Sequence, residues 1–221
     1  MCSSDLARKR IYDYEAGADK VSVANAKNIS PYLIEGSDST INNRTNPICN
    51  VPKMSWGNKP TDGGHFLLSP EERAELIKAE PAAKKFIRPY MGGYDFINSE
   101  ERFCLWLVDA NPGELRALPK VMERVERVRE FRAASKAEST RNYAKFATRF
   151  RQIAQPNSDY LAVPEVSSEG RTYIPIAFVS KEVICSNTVQ FVPDASVFHF
   201  GVLTSAMHMA WVRQVDRKSV V

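Results

Sequence analysis

The sequence predicts an α+β fold, a mixed or antiparallel sheet of short strands flanked by helices, and two patterns carry that reading. Around and after Pro119, the residues Leu118, Val121, Met122, Val125, Val128 and Phe131 recur every three to four positions, the period of one helical face. From Tyr160 onward the apolar runs become short and strand-like, separated by Ser, Glu, Gly, Asn and Asp. With 221 residues, 43% of them hydrophobic, the chain can bury a core without disulfides or metals.

Residues 7–27 are polar and read as extended or irregular, and Asn28-Ile-Ser-Pro-Tyr-Leu-Ile34 brings the first apolar run, where Pro31 biases Ser30 away from helix. Residues 35–65 are dominated by Gly, Ser, Asp, Asn, Thr and Pro. That is loop chemistry, and loops of this length are commonly functional or disordered. Ser69-Pro-Glu-Glu72 combines an N-cap, a proline at the first helical position and a capping-box glutamate, so a helix is expected to about Lys78. Pro81 opens another turn or helix, which Arg88-Pro-Tyr-Met-Gly-Gly93 breaks. Arg102–Val108 is a buried-strand pattern followed by the turn Asp109–Gly113. Beyond the long helix the expected strands are Tyr160–Val163, Tyr173–Val179, Val183–Cys185, Thr188–Val192 and Val197–Phe200. Gly201–Arg213 closes the series as a helix with Leu203, Ala206, Met207, Ala210 and Trp211 on one side.

Several classes are excluded. No apolar run approaches the roughly 18 residues of a membrane span; the best, Ile174–Val179, is interrupted by Pro175. Cys2, Cys49, Cys104 and Cys185 are far apart and read as free thiols, and His65, His199 and His208 have no metal-ligand spacing. The polar start is not a signal peptide, and a cytoplasmic location is expected. Met1–Leu6 and Asp216–Val221 fit no pattern continuing into the body and resemble translated adapter sequence, leaving 7–215 as one domain and an internal fragment of a larger protein.

Charge is concentrated. Residues 116–151 hold eleven Lys or Arg against four Glu, a local net of +7 in a chain of net +4. Basic residues interleaved with Phe131, Tyr143, Phe146 and Phe150 suit a phosphate-binding surface. Within 124–132 the spacing equally allows helix-face pairs, Glu123 with Arg127 and Glu126 with Arg129. Beyond Lys136 only Glu138 opposes Arg141, Lys145, Arg149 and Arg151, which favours nucleic acid. Two polar loops could read bases. Ser167, Ser168, Glu169 and Arg171 lie in one, where Arg171 could fork onto guanine and Glu169 accept from cytosine. Asn58, Lys59, Asp62 and His65 lie in the other, although Gly63-Gly64 also suits a simple tight turn.

Catalytic patterns are absent: there is no GxGxxG, no P-loop and no nucleophile–base spacing, and Gly63-Gly64 and Gly92-Gly93 are isolated pairs. Asn111-Pro-Gly-Glu114 has the wrong third and fourth residues for the Asn-Pro-Pro-aromatic site of amino-methyltransferases.

An ordered set of motifs then resembles the target-recognition domain of MmeI-like, adenine-specific DNA methyltransferases of restriction-modification type. It comprises Asn28-Ile-Ser-Pro-Tyr-Leu, Pro52-Lys-Met-Ser-Trp-Gly-Asn, Asp62-Gly-Gly-His, Phe86-Ile-Arg-Pro-Tyr, Arg102-Phe-Cys-Leu-Trp-Leu, Val121-Met-Glu-Arg-Val, Tyr173-Ile-Pro-Ile and His199-Phe-Gly-Val-Leu-Thr-Ser-Ala-Met-His-Met-Ala-Trp211. The resemblance implies a double-stranded DNA reader whose upstream methyltransferase domain binds S-adenosylmethionine and does the chemistry, so that the fragment carries neither cofactor nor catalytic residues. It adds Ser205 and His208 to the expected DNA contacts. Two other classes remain open at this point: a non-catalytic RNA-binding module, separable by duplex-against-RNA competition, and a stand-alone hydrolase, separable by a nuclease assay.

Overall fold

The computed structural model describes residues 9–14, 21–38, 42, 44, 46–168 and 170–215. The residues expected to be adapter sequence, 1–6 and 216–221, lie outside that description. The chain divides into two compact units, Met1–Ile48 with Ala206–Val221, and Cys49–Ser205.

In the first unit the polar start forms an antiparallel hairpin, β1 (Lys9–Tyr14) with β2 (Val21–Ala26), in which Tyr12 pairs with Val23. The following turn is closed by the Asn28 side chain donating to the Gly36 carbonyl at 2.8 Å.

The second unit contains two four-stranded sheets. Its elements in order are β3 (Ser55–Trp56), β4 (Leu67–Leu68), α1 (Pro70–Ala79), β5 (Ile87–Met91), α2 (Gly93–Asn98), β6 (Arg102–Leu105), α3 (Pro112–Arg116), α4 (Pro119–Ala133), α5 (Glu138–Asn142), β7 (Tyr160–Pro164), β8 (Ala177–Val179), β9 (Ile184–Cys185), β10 (Val189–Pro193) and α6 (Val197–Leu203). The α+β expectation holds. One sheet runs β4-β6-β5-β9, antiparallel except for the β5–β9 pair, and the other runs β3-β10-β7-β8, antiparallel throughout. The last helix, α7 (Ala206–Val215), belongs to the first unit.

The main core lies in the second unit, where Phe66, Leu68, Leu105, Val121, Val125 and Phe150 are buried together. Phe150 stacks on Phe66 at 5.6 Å and meets Trp106 edge-on at 5.0 Å, an arrangement favoured by the ring quadrupoles. In a smaller cluster, Tyr160, Ala162, Val189 and Phe191 of the other sheet pack with Cys185 of β9. At Gly57 a Cβ would sit 2.3 Å from the Ser186 carbonyl oxygen, so only glycine lets these backbones approach.

Helix α1 starts as its sequence predicts. Ser69 Oγ accepts from the Glu72 N–H at 3.1 Å while Glu72 Oε2 accepts from the Ser69 N–H at 2.9 Å. Four expectations are corrected. Val197–Phe200 is helical, because the Ser196 N–H donates to His199 Nδ1 at 3.0 Å and opens α6, and a short apolar run does not by itself separate helix from strand. Gly201–Arg213 is not one helix: the chain breaks after Leu203, with the Ser205 hydroxyl donating to the Val202 carbonyl at 2.8 Å. Tyr173–Val179 is strand only from Ala177, beyond Pro175, which has no N–H for a ladder. Pro81 opens a helical turn that ends at Phe86, as expected, but Arg88–Met91, read only as its breaker, is strand, since the fixed φ of Pro89 is compatible with extended backbone opposite Phe103. The Asn111-Pro-Gly-Glu114 tetrapeptide is a helix start, with the Asn111 side chain accepting from the Gly113 N–H at 2.8 Å.

Candidate nucleic-acid interface

The basic residues separate into two groups with different fates. On α4, Val121, Val125, Val128 and Arg132 form the buried face, and Phe131 is displaced to the half-exposed flank. The remaining arginines of this helix are paired: Arg124 with Glu72 at 2.7 Å, Arg127 with Glu123 at 2.5 Å and Arg129 with Glu126 at 2.6 Å. The last two pairs are those the 124–132 spacing allows, and Glu72 of α1 supplies the third carboxylate.

From α5 to the end of the following turn the situation reverses. Arg141, Lys145 and Arg149 are exposed and Arg151 is half-buried. Among the described residues no carboxylate lies within ion-pair distance of any of the four. Arg141 is aimed by hydrogen bonds to the carbonyls of Ser135 (2.9 Å) and Lys136 (2.7 Å). Arg151 lies 4.8 Å from the centre of the Tyr143 ring, and Lys145 lies 5.2 Å from that of Phe146. The aromatics of the segment therefore orient its cations.

The 56–65 loop is brought against this segment. Lys59 and Gln152 exchange two backbone hydrogen bonds of 3.0 Å, which places exposed Lys59 next to Arg151. Its neighbours turn inward. Asn58 is fully buried; its amide donates to Gln155 Oε1 at 2.8 Å and to the Cys185 carbonyl at 3.0 Å, and its oxygen accepts from the Ala154 N–H at 2.7 Å. Asp62 is also buried and accepts from the Phe66 N–H at 2.6 Å. The expectation that Asn58 and Asp62 face bases is corrected on this point, because their polar atoms are used to hold the loop. His65 is half-buried, and its carbonyl accepts from Arg124 at 3.1 Å. Gly63 and Gly64 adopt φ of +66° and +86°, and a Cβ at Gly63 would meet the Phe131 ring at 2.8 Å. The tight-turn reading of this pair fits.

The other polar loop spans 165–176 and joins β7 to β8 as a hairpin connection, with Ala162 opposite Ala177. Ser167, Ser168 and Arg171 lie on it, and Glu169 lies outside the described residues. The Arg171 N–H donates to the Ser168 carbonyl at 3.1 Å, while Ser167 Oγ is buried without a hydrogen-bond partner among the described residues. Arg171 therefore stands mid-loop on exposed backbone and not at the strand edge expected near Tyr173. Ser205 sits at the break after α6 and His208 on α7, in different units.

Among the described residues no group of three or more His, Cys, Asp or Glu is placed to hold a metal ion, and no helix is long and apolar enough to cross a membrane.

Residues 35–218 match the family model "MmeI, target recognition domain". The chain belongs to this family. A further MmeI-type likeness comes from a solved structure of the type IIL restriction-modification enzyme MmeI in complex with DNA, at a TM-score of 0.91 and 45% identity over 96% of this chain and 28% of that one. DNA methyltransferase A of Bacillus subtilis (strain 168) is 35% identical over 188 residues, 85% of this chain. The MmeI-type recognition fold here spans only 21% of that relative's length.

Proposed function

We propose that this chain is the sequence-specific double-stranded DNA recognition module, residues 7–215, of an adenine-specific, site-specific DNA methyltransferase of restriction-modification type. The observation that carries it is the run Arg141, Lys145, Arg149 and Arg151, four cations without a carboxylate partner among the described residues, in a chain whose solved relative is complexed with DNA. Cations left unpaired in this way can neutralise phosphates and release their counterions.

The labour divides by chemistry. Arg141, Lys145, Arg149, Arg151 and Lys59 would position the duplex, while the 165–176 loop, with Ser167, Ser168, Glu169 and Arg171, would specify bases. Ser205 and His208 would contribute contacts from the last segment. Adenine N6 is reached only when the base leaves the stack, so this module would grip flanking duplex while an upstream methyltransferase domain of the parent holds the flipped base. S-adenosylmethionine belongs to that domain. In support of placing it there, a Cβ at Gly63 would meet the Phe131 ring at 2.8 Å and one at Gly93 the Thr188 carbonyl at 3.0 Å, so these glycines serve close packing.

The test replaces Arg141, Lys145, Arg149 and Arg151 together by Ala. The slope of log affinity against log salt is expected to fall by about three to four units, equally on all duplex sequences. An unchanged slope removes the phosphate role. Preference for structured RNA over duplex DNA in direct competition would favour the RNA-binding alternative instead.

A further inference from the structure

The structure assigns Arg132 as a positioning residue for DNA binding, a buried cation that holds the phosphate-facing side chains of two separate segments in one register. The inference rests on the phosphate role proposed for those side chains and deepens it.

Arg132 is fully buried on the core face of α4. Its guanidinium donates to four backbone carbonyls: Nε to Thr61 at 2.9 Å, one terminal nitrogen to Phe146 at 3.0 Å, and the other to Pro60 at 2.9 Å and Arg149 at 2.7 Å. The Tyr143 ring covers the group as well, its centre 5.2 Å from the guanidinium carbon. No carboxylate of the described residues pairs with it. A buried cation is costly unless hydrogen-bonded or paired; here four carbonyls from two loops meet most of that need, and the charge of nearby buried Asp62 favours the cation from beyond ion-pair distance.

The acceptors locate the consequence. Pro60 and Thr61 follow Lys59, and Phe146 and Arg149 bracket the turn between Lys145 and Arg151. The same tyrosine ring that meets Arg132 also meets Arg151. One planar fork thus fixes the backbone under Lys59, Lys145 and Arg149, and through the ring it fixes Arg151. A ligand as regular as duplex phosphate rewards cations already spaced for it, because ordering them at the moment of binding costs affinity. Lysine cannot substitute: a single ammonium has three donors and no fork.

Arg132→Lys and Arg132→Gln, each compared with the parent chain at a temperature well below its own melting point, test this by titration with a duplex of random sequence. For whichever variant is folded by circular dichroism, binding is expected to weaken about tenfold and the salt slope to fall by about one to two units. In a Lys145→Ala, Arg149→Ala background the same Arg132 change is expected to cost little more, because the positioned groups are already gone. A folded variant with wild-type affinity and slope, or an Arg132 loss that adds in full to the double alanine background, overturns the positioning role. Failure of the underlying reading looks different: Lys145→Ala, Arg149→Ala would then leave the slope unchanged with Arg132 intact. If both single variants melt below the assay range, Tyr143→Leu, which leaves the four carbonyl bonds in place, is expected to weaken binding by a smaller factor through Arg151, and wild-type binding there overturns the role of the ring.

Discussion

Glu80 caps helix α4 from forty residues away, its Oε1 accepting from the Lys120 N–H at 2.6 Å and its Oε2 from the Val121 N–H at 3.3 Å. Leu118, the residue at the helix N-cap, has no side chain able to do this. The buried carboxylate satisfies amides that the first turn leaves open and lies at the positive end of the helix dipole. Glu80→Ala is therefore expected to lower stability by about 2 kcal/mol in urea unfolding. A loss within error of zero would mean that water serves these amides equally well.

Arg171 is the first residue to test for sequence discrimination. A bidentate contact to guanine is worth about 1–3 kcal/mol, roughly ten- to hundredfold at one base pair. In the full-length parent, Arg171→Ala is expected to relax methylation at one position of the site and to leave binding to random duplex nearly unchanged. Methylation mapped by sequencing decides it: an unaltered motif with uniformly reduced activity would return Arg171 to a role in shaping its own loop.

The thiols are predicted to differ in reactivity. Burial pushes Cys185 up to about 11 and raises Cys104 further, whereas Cys49 is exposed. The thiolate is the nucleophile, so iodoacetamide at pH 8 is expected to modify Cys49 in the native chain and Cys104 and Cys185 only after denaturation. Peptide mapping by mass spectrometry measures this, and native-state labelling of Cys104 at the rate of Cys49 would contradict it.

The capping box of α1 carries a pH signature. Hydrogen bonding from the Ser69 backbone, then from Arg124, lowers the Glu72 carboxyl below its usual range. A carboxylate with a depressed folded value contributes stability above its unfolded pKa and loses it as pH falls through the folded value. Glu72 is half exposed, so the contribution is small, about 0.5 kcal/mol. The stability difference between wild type and Glu72→Gln is expected to be full at pH 6 and to vanish below the folded pKa in paired urea titrations. A difference independent of pH would assign it to packing.

Local chemistry made much of the fold legible. The Ser69–Glu72 box, the apolar period of α4 and the apolar runs of β6, β7, β9 and β10 depend on neighbours a few residues apart, so their sequence signals survive intact. The same holds for the split in the basic stripe, because Glu123–Arg127 and Glu126–Arg129 are pairs within one helix. Short apolar runs were the weak point. Val197–Phe200 carries no period long enough to separate helix from strand, and a capping contact from His199 decides it.

By itself, then, the sequence determined the α+β class, the family resemblance and the contrast between paired and unopposed cations, all of which are written in composition and near-neighbour spacing. Only the tertiary structure decided which polar residues face outward. Asn58 turns inward because its partners are Ala154, Gln155 and Cys185, about a hundred positions away, and Lys59 joins the basic segment because its backbone pairs with Gln152. Arg132 and Phe131 are adjacent, and the helical period assigned the core to the phenylalanine. The core took the arginine, because four carbonyls from two loops converge on that position and satisfy a charge that no pattern of hydrophobicity would place there.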